Sequence, residues 1–281
     1  TYGGWKDSER ALFPQLIDSI PTDSLLMLDA GFYSFKLWKS LCFRHKLLFR
    51  VQTSMVFKPL QFFDDGSFLA KVYHSNWYRE NDSGGILVRV IEYTIDDAQR
   101  TGHQEKHVLL TNLLEAELFP AEELICEYHE RWEHEQVIDE QKTHQDPTRA
   151  EKTTHFRSET SDGLRQEIYA LSLAHFVTRS LMFDAAKAKN IDVDRISFKA
   201  CFQILKTRLP EYHPAEGKTR LDDWLRAVIW EMGNEIIPLR RNRINPRVIK
   251  RKMSKWDKAR PEHRNLPPLK KTFHETIVML H

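Results

Sequence analysis

The sequence predicts an α/β protein with a strand–helix–strand start, an antiparallel β-rich middle and a helical second half. Three observations carry this. The run "LLML" at 25–28 is apolar without alternation and closes on Asp29, Ala30 and Gly31, which reads as a buried strand entering a tight turn. Between about 55 and 114, short runs rich in Val, Ile, Phe and Tyr are separated by "DDG", "NDSGG" and "DDAQRTGHQE", the punctuation of antiparallel strands. From "PAEELICEYHERWEHEQVIDEQK" onward the composition is that of helices.

The bulk numbers set limits. At 281 residues with 41% hydrophobic content, the chain can bury one large core or two ordinary ones. Cys42, Cys126 and Cys201 form no CxxC pair, which fits a reducing cytoplasm and gives no case for a disulfide framework or a zinc site. No run of about 18 apolar residues exists, so no membrane span is expected. The opening "TYGGWKDSERALFPQL" does not read as a natural start, and the chain is expected to be part of a longer reading frame.

Taken in order, residues 8–20 read as a short amphipathic helix interrupted at Pro14. The strand at 25–28 is followed by a helix of about three turns in "SFKLWKSLCFRH" and a strand in "KLLFRVQTS", completing a βαβ unit. The strands in "PLQFF", "SFLAKVYHS", "GILVRVIEYTI" and "HVLLTNL" look inserted, because helical character resumes abruptly after them. Pro120 suits a first helical turn, with Glu122 and Glu123 near its positive end. Residues 162–190 form the clearest amphipathic helix, with Ile168, Leu171, His175, Thr178 and Met182 along one flank; His175 reads as a core or rim histidine rather than a ligand. Helices are also expected at 195–209 and 219–236. The chain accordingly divides into 1–54, 55–117, 118–160, 161–238 and 239–281.

Between Tyr128 and Lys142, seven of fifteen residues are charged, so a helix there is polar almost all round. With Tyr128 at zero on a helical wheel, Arg131 falls at about −60°, Glu135 at about −20° and Lys142 at about −40°, within one arc that Asp139 also approaches. Glu130, Glu133 and Glu140 point elsewhere, as do His129 and His134. The set on the arc suits phosphate chemistry: a carboxylate for a divalent cation, an arginine to bridge phosphate oxygens, a lysine as a compact charge and a tyrosine to contact a backbone oxygen or a base. On the wheel alone, the competing reading is a solvated helix with ion pairs such as Arg131–Glu135.

The spacing Tyr128-x2-Arg131-x3-Glu135-x6-Lys142 resembles the Y-(2)-R-(3)-E-(6)-K signature of DDE transposases of the insertion sequence 4 family. "LLMLDAGFYS" is similar to that family's second aspartate region, and "LLTNL" and "RRNRINPRVIKRKMSKW" also look like members. The resemblance implies a partial RNase H-like (retroviral integrase-like) catalytic core interrupted by a β-rich insertion, followed by a C-terminal helical region and a basic tail. It implies that Asp29 and Glu135, 106 residues apart, are the second and third acidic residues of a triad holding two divalent metals, Mg²⁺ with Mn²⁺ as substitute, for cleavage and strand transfer of DNA ends. Tyr128 and Arg131 are then expected to position the DNA backbone or a flipped base, with Lys142 on a phosphate. The implied partners are the double-stranded DNA of element ends and target and a second transposase copy during synapsis, in a bacterial cytoplasm at the nucleoid and away from any membrane.

The sequence departs from the family at the first aspartate. Asp7 has no strand before it, Asp18 lies in an expected helix and Asp23 in the turn before the Asp29 strand. The chain is therefore expected to be a truncated form, inactive alone; the alternative is a catalytically dead remnant that binds DNA or interferes with assembly.

From Arg240 to Lys271 the chain carries thirteen Lys and Arg against Asp257 and Glu262, a local charge of +11 in a protein of +2, which leaves about −9 for the rest. Such asymmetry is the footprint of a polyanion partner. Arg240, Arg241, Arg243, Arg247, Lys250, Arg251, Lys252 and Lys255 are the expected DNA contacts, on an arm kept extended by Pro246, Pro261, Pro267 and Pro268.

Overall fold

The computed structural model describes residues 8–97, 103–145, 156–211, 218–237 and 271–281. The basic arm of 240–270 lies outside the described residues, as does Asp7. The chain forms two compact units, Thr1–Arg131 with Pro246–His281, and Trp132–Asn245.

The first unit begins with α1 (Glu9–Leu12), capped by the Ser8 hydroxyl, and continues as a tighter 3₁₀ turn, Phe13–Ser19. Pro14 is the second residue of that turn, where its missing N–H costs nothing, so the α-helix is interrupted at the proline as expected while the chain continues in the tighter 3₁₀ form. Strand β1 (Leu25–Leu28), helix α2 (Phe35–Leu41) and strand β2 (Lys46–Arg50) make the expected βαβ unit, with β1 and β2 parallel and Leu28 opposite Phe49. Helix α2 runs seven residues, shorter than expected, because the N–H groups of Arg44 and His45 both turn back onto the Leu41 carbonyl.

Strands β3 (Gln61–Phe62) and β4 (Phe68–Val72), the short helix α3 (Asn76–Glu80), and strands β5 (Ile86–Ile95) and β6 (His107–Thr111) follow. They do not form a separate layer. β6 pairs antiparallel with β2, giving one mixed sheet in the order β1-β2-β6-β5-β4-β3. β5 is long enough to pair with β4 along its first half and with β7 (Ile277–Met279) at its end. The last residues of the expected basic tail are therefore a strand.

Period-2 alternation sorts the sheet's side chains between two layers. Leu47, Phe49, Val88, Val90, Val108 and Leu110 pack with Trp38 and Leu41 of α2 on one face. Leu48, Ile91, Tyr93, Leu109 and Ile95 pack on the other face, with Ala121, Leu124, Ile125 and Tyr128 of helix α4 (Ala121–Glu130). Both faces of β2 and β6 are covered, which is why they read as unbroken apolar runs.

Pro120 caps α4 rather than entering its first turn. The polar helix is not continuous: α4 stops at Glu130, Arg131 bonds its N–H to the Tyr128 carbonyl, and α5 (Trp132–Asp139) opens the second unit. A π-helical turn, Glu140–Gln145, follows. Within the second unit, the wider π turn changes the helical phase between Glu135 and Lys142.

The second unit is helical. Helix α6 (Ser161–Lys189) is capped by the Thr160 hydroxyl and ended by Asn190 in the left-handed region at φ 53°. Met182, Ala185 and Ala186 of α6 pack with Phe198 and Cys201 of α7 (Phe198–Arg208) and Val228 and Met232 of α8 (Lys218–Met232). Among the described residues no helix is long and apolar enough to cross a membrane.

Candidate active site at the carboxyl end of the parallel strands

Parallel pairing puts the carboxyl ends of β1 and β2 side by side, so Asp29 after β1 adjoins Arg50 at the end of β2. In open α/β sheets this is the end at which binding residues gather. Asp29 is exposed. Its Oδ1 accepts the Gly31 N–H at 2.9 Å, and its carbonyl accepts the Phe32 N–H at 3.1 Å, closing the turn. A Cβ at residue 31 would stand 3.1 Å from Asp29 Oδ1, so glycine lets the backbone come this close.

Tyr128 reaches the same place from α4. Its ring is buried in the core, and its hydroxyl donates to the Leu28 carbonyl at 3.3 Å. Burial raises the phenol's pKa, opposed by the positive charges of Arg131 and Arg50 and reinforced by the negative charge of Asp29. The Arg131 guanidinium lies over the Tyr128 ring, 5.7 Å from its centre. Arg50 Nη2 lies 3.2 Å from His107 Nδ1. One carboxylate, two guanidiniums and one buried phenol thus share this strand end.

Sequence reasoning singled out Asp29, Tyr128 and Arg131, which the structure brings to one strand end, but not Arg50. The signal for Arg50 existed only in the register of β1 on β2.

The helix carrying Tyr128 is itself held at its start. Asp65 Oδ2 accepts the Ala121 N–H at 2.9 Å, filling one of the unpaired donors of the first turn of α4. The same carboxylate pairs with Arg89, which is fully buried on β5. Arg89 also donates to Ser67 Oγ at 2.7 Å and to the Phe119 carbonyl at 2.6 Å, next to the Pro120 cap. Burial pushes the Asp65 carboxyl up, but hydrogen bonds from Ser67 and Ala121 and the charge of Arg89 outweigh it and hold the pKa below the ordinary carboxylate value.

In the second unit, Glu135 is half-buried on α5, Asp139 is exposed, and Lys142 lies in the π-helical turn with its side chain outside the described residues. Glu140 is buried. Arg179 grips it with Nε at 2.9 Å and Nη2 at 2.7 Å, and His175 Nε2 lies 2.9 Å from Oε2. The Phe198 ring lies against both partners. His175 is thus a buried histidine holding a carboxylate of the π turn.

The other aspartates are placed elsewhere. Asp18 pairs with Arg44 in the 3₁₀ turn, and Asp23 pairs with Lys46 before β1. His129 stacks on Phe273, ring centres 3.8 Å apart, and His134 is exposed.

Asp29 and Glu135 are hard oxygen donors of the kind Mg²⁺ takes. Among the described residues no three His, Cys, Asp or Glu side chains gather into a metal-binding group.

The chain resembles a transposase of insertion sequence IS4 over nearly its whole length. It is 27% identical over 266 residues to "Transposase InsG for insertion sequence element IS4" of Escherichia coli (strain K12), a match covering 92% of this chain. The chain spans 57% of the length of that relative. No family model matches the chain. No solved structure matches it.

Proposed function

We propose that this chain is the catalytic part of an insertion-sequence DNA transposase, with an RNase H-like core that cleaves and joins DNA ends by the two-metal route. The juxtaposition of Asp29 with Tyr128 and Arg131 carries this reading, because it brings the aspartate region and the first half of the Tyr–Arg–Glu–Lys spacing to one strand end. Similarity to a transposase across 92% of the chain supports it independently of that motif.

In this reading Asp29 and Glu135 hold divalent metal, Mg²⁺ or Mn²⁺, together with a third carboxylate that we assign to none of these 281 residues. Bound metal would activate the attacking oxygen and stabilise the leaving one. The chain's own residues orient the phosphodiester. Arg131, steadied on the Tyr128 ring, offers a forked donor to phosphate oxygens, and Arg50 supplies a second positive charge beside Asp29. Tyr128 keeps its hydroxyl on the Leu28 carbonyl and so fixes the strand end against α4. Lys142 and the basic run Arg240 to Lys255 contact the DNA backbone without reading its sequence.

Duplex binding at varied salt tests the DNA half of the reading. Each neutralised phosphate adds about −0.9 to the slope of log affinity on log salt. Replacing Arg240, Arg241 and Arg243 by Gln is expected to flatten that slope by about 2 to 3 and to weaken binding equally on unrelated sequences. An unchanged slope removes the arm from the DNA interface.

A further inference from the structure

Helix α4 is gripped along one flank by a segment far from it in sequence. Residues 271–281 return to the first sheet as β7, with Ile277 opposite Ile95 and Met279 opposite Tyr93 on β5. Further bonds fix the segment on both sides of the strand. The Asp96 N–H donates to the Thr276 carbonyl at 2.7 Å, and the Leu280 N–H donates to the Glu92 carbonyl at 3.0 Å. His281 Nε2 lies 2.9 Å from Glu92 Oε2.

Just before β7 the chain closes a tight turn. The Thr272 N–H donates to Glu275 Oε2 at 2.7 Å, and the Glu275 N–H donates back to Thr272 Oγ1 at 3.4 Å, a reciprocal capping box. Buried Thr276 donates to the Phe273 carbonyl from its N–H at 3.0 Å and from its hydroxyl at 2.6 Å.

This turn presents two consecutive side chains to α4. Phe273 is buried with the apolar face of the helix and stacks on the His129 ring, centres 3.8 Å apart and planes 11° from parallel. His274 Nε2 lies 3.1 Å from Glu122 Oε2. Glu122 and His129 stand two turns apart on one flank of the helix. The His274–Glu122 pair is well exposed and adds little, so the buried stack is the stronger contact.

The stack grips the turn that builds the candidate site. His129 follows Tyr128, and the carbonyls of both accept the Arg131 N–H. We propose that Phe273 is a positioning residue: held on β5 through β7, it fixes the last turn of α4, so that the Tyr128 hydroxyl meets the Leu28 carbonyl and Arg131 is carried at the Asp29 end of the sheet. A planar stack resists rotation of the helix about its axis better than aliphatic packing, because the rings lose contact when either one tilts. The positioning role rests on the reading of that strand end as the place where the phosphodiester is oriented.

The clamp is read on the 281-residue chain without catalysis. With 3-fluorotyrosine in place of tyrosine, the fluorine resonance missing from Tyr128→Phe belongs to Tyr128. Phe273→Leu, which keeps an apolar side chain in the core and loses the stack, is expected to shift and broaden that resonance. His129→Ala, at a half-buried position, is expected to do the same from the helix side. His129→Phe, which restores a ring, is expected to return the resonance to the parent position. Val90→Ala, a truncation in the opposite layer of the sheet, is expected to lower stability to urea and leave the resonance in place. A resonance that His129→Ala leaves unmoved, or that Val90→Ala moves equally, overturns the proposal.

Nicking of element-end DNA by the protein completed to the length of the relative supplies the second readout. Phe273→Leu is expected to lower kcat about tenfold or more with KM near the parent's, the pattern of a misplaced orienting group. A loss confined to KM overturns the positioning role. A parent that does not nick removes the proposed chemistry instead, and the fluorine resonance still decides the clamp.

Discussion

The Tyr128 hydroxyl donates to the carbonyl of Leu28, the residue before Asp29, across 100 positions of sequence. One buried side chain thereby ties α4 to the strand that presents the Asp29 carboxylate. Tyr128→Phe keeps the ring under Arg131 and removes only this bond. It is expected to lower stability by about 1 kcal/mol, the usual net value of one such bond, measured by urea unfolding. A loss near zero would mean that the strand end is held by packing alone.

Asp65 has a larger task, because it completes both the start of α4 and the charge of buried Arg89. Asp65→Ala leaves that guanidinium without its counter-charge and is expected to cost about 3–5 kcal/mol. The sign of its pH dependence follows from its lowered pKa. The contribution is fully present above the ordinary carboxylate value of about 3.9 and fades as pH falls through the lower folded value. Parent and variant stabilities, compared from pH 6 to pH 2, are therefore expected to converge only at the acid end. Convergence already at pH 5 contradicts the assignment.

Glu140 anchors the π-helical turn to α6 through Arg179 and His175. Glu140→Ala is expected to destabilise the helical unit by about 3 kcal/mol, at the low end for a buried pair because Arg179 retains some exposure. Hydrogen exchange at the α6 amides reads this directly. Protection should fall in α6 while β2 and β6 of the other unit are unchanged.

The parts of the fold legible in the sequence are those with a local signal. Leu25–Leu28 came out with its observed limits because an apolar run between turn residues has few other readings. Helix α6 was found to within a residue at each end, with Asn190 in the left-handed conformation just beyond it. What escaped depends on which elements meet. Nothing local to "HVLLT" says that it pairs with β2, so the continuation of the first sheet through the middle strands was not legible. Arg50 joins Asp29 only through strand register, and Arg89 finds Asp65 across 24 residues. The break at Arg131 escaped because the wheel assumes the unbroken helix it is used to describe.

The measurement that bears most directly on the proposed chemistry is metal-dependent nicking of element-end DNA by a protein completed to the length of the relative. Asp29→Ala and Glu135→Ala are each tested beside the parent. The account predicts that both variants lose nicking by a hundredfold or more in Mg²⁺ while binding the same DNA with affinity near the parent's. Parent-level nicking by either variant would contradict the assignment of these two carboxylates to the metal site.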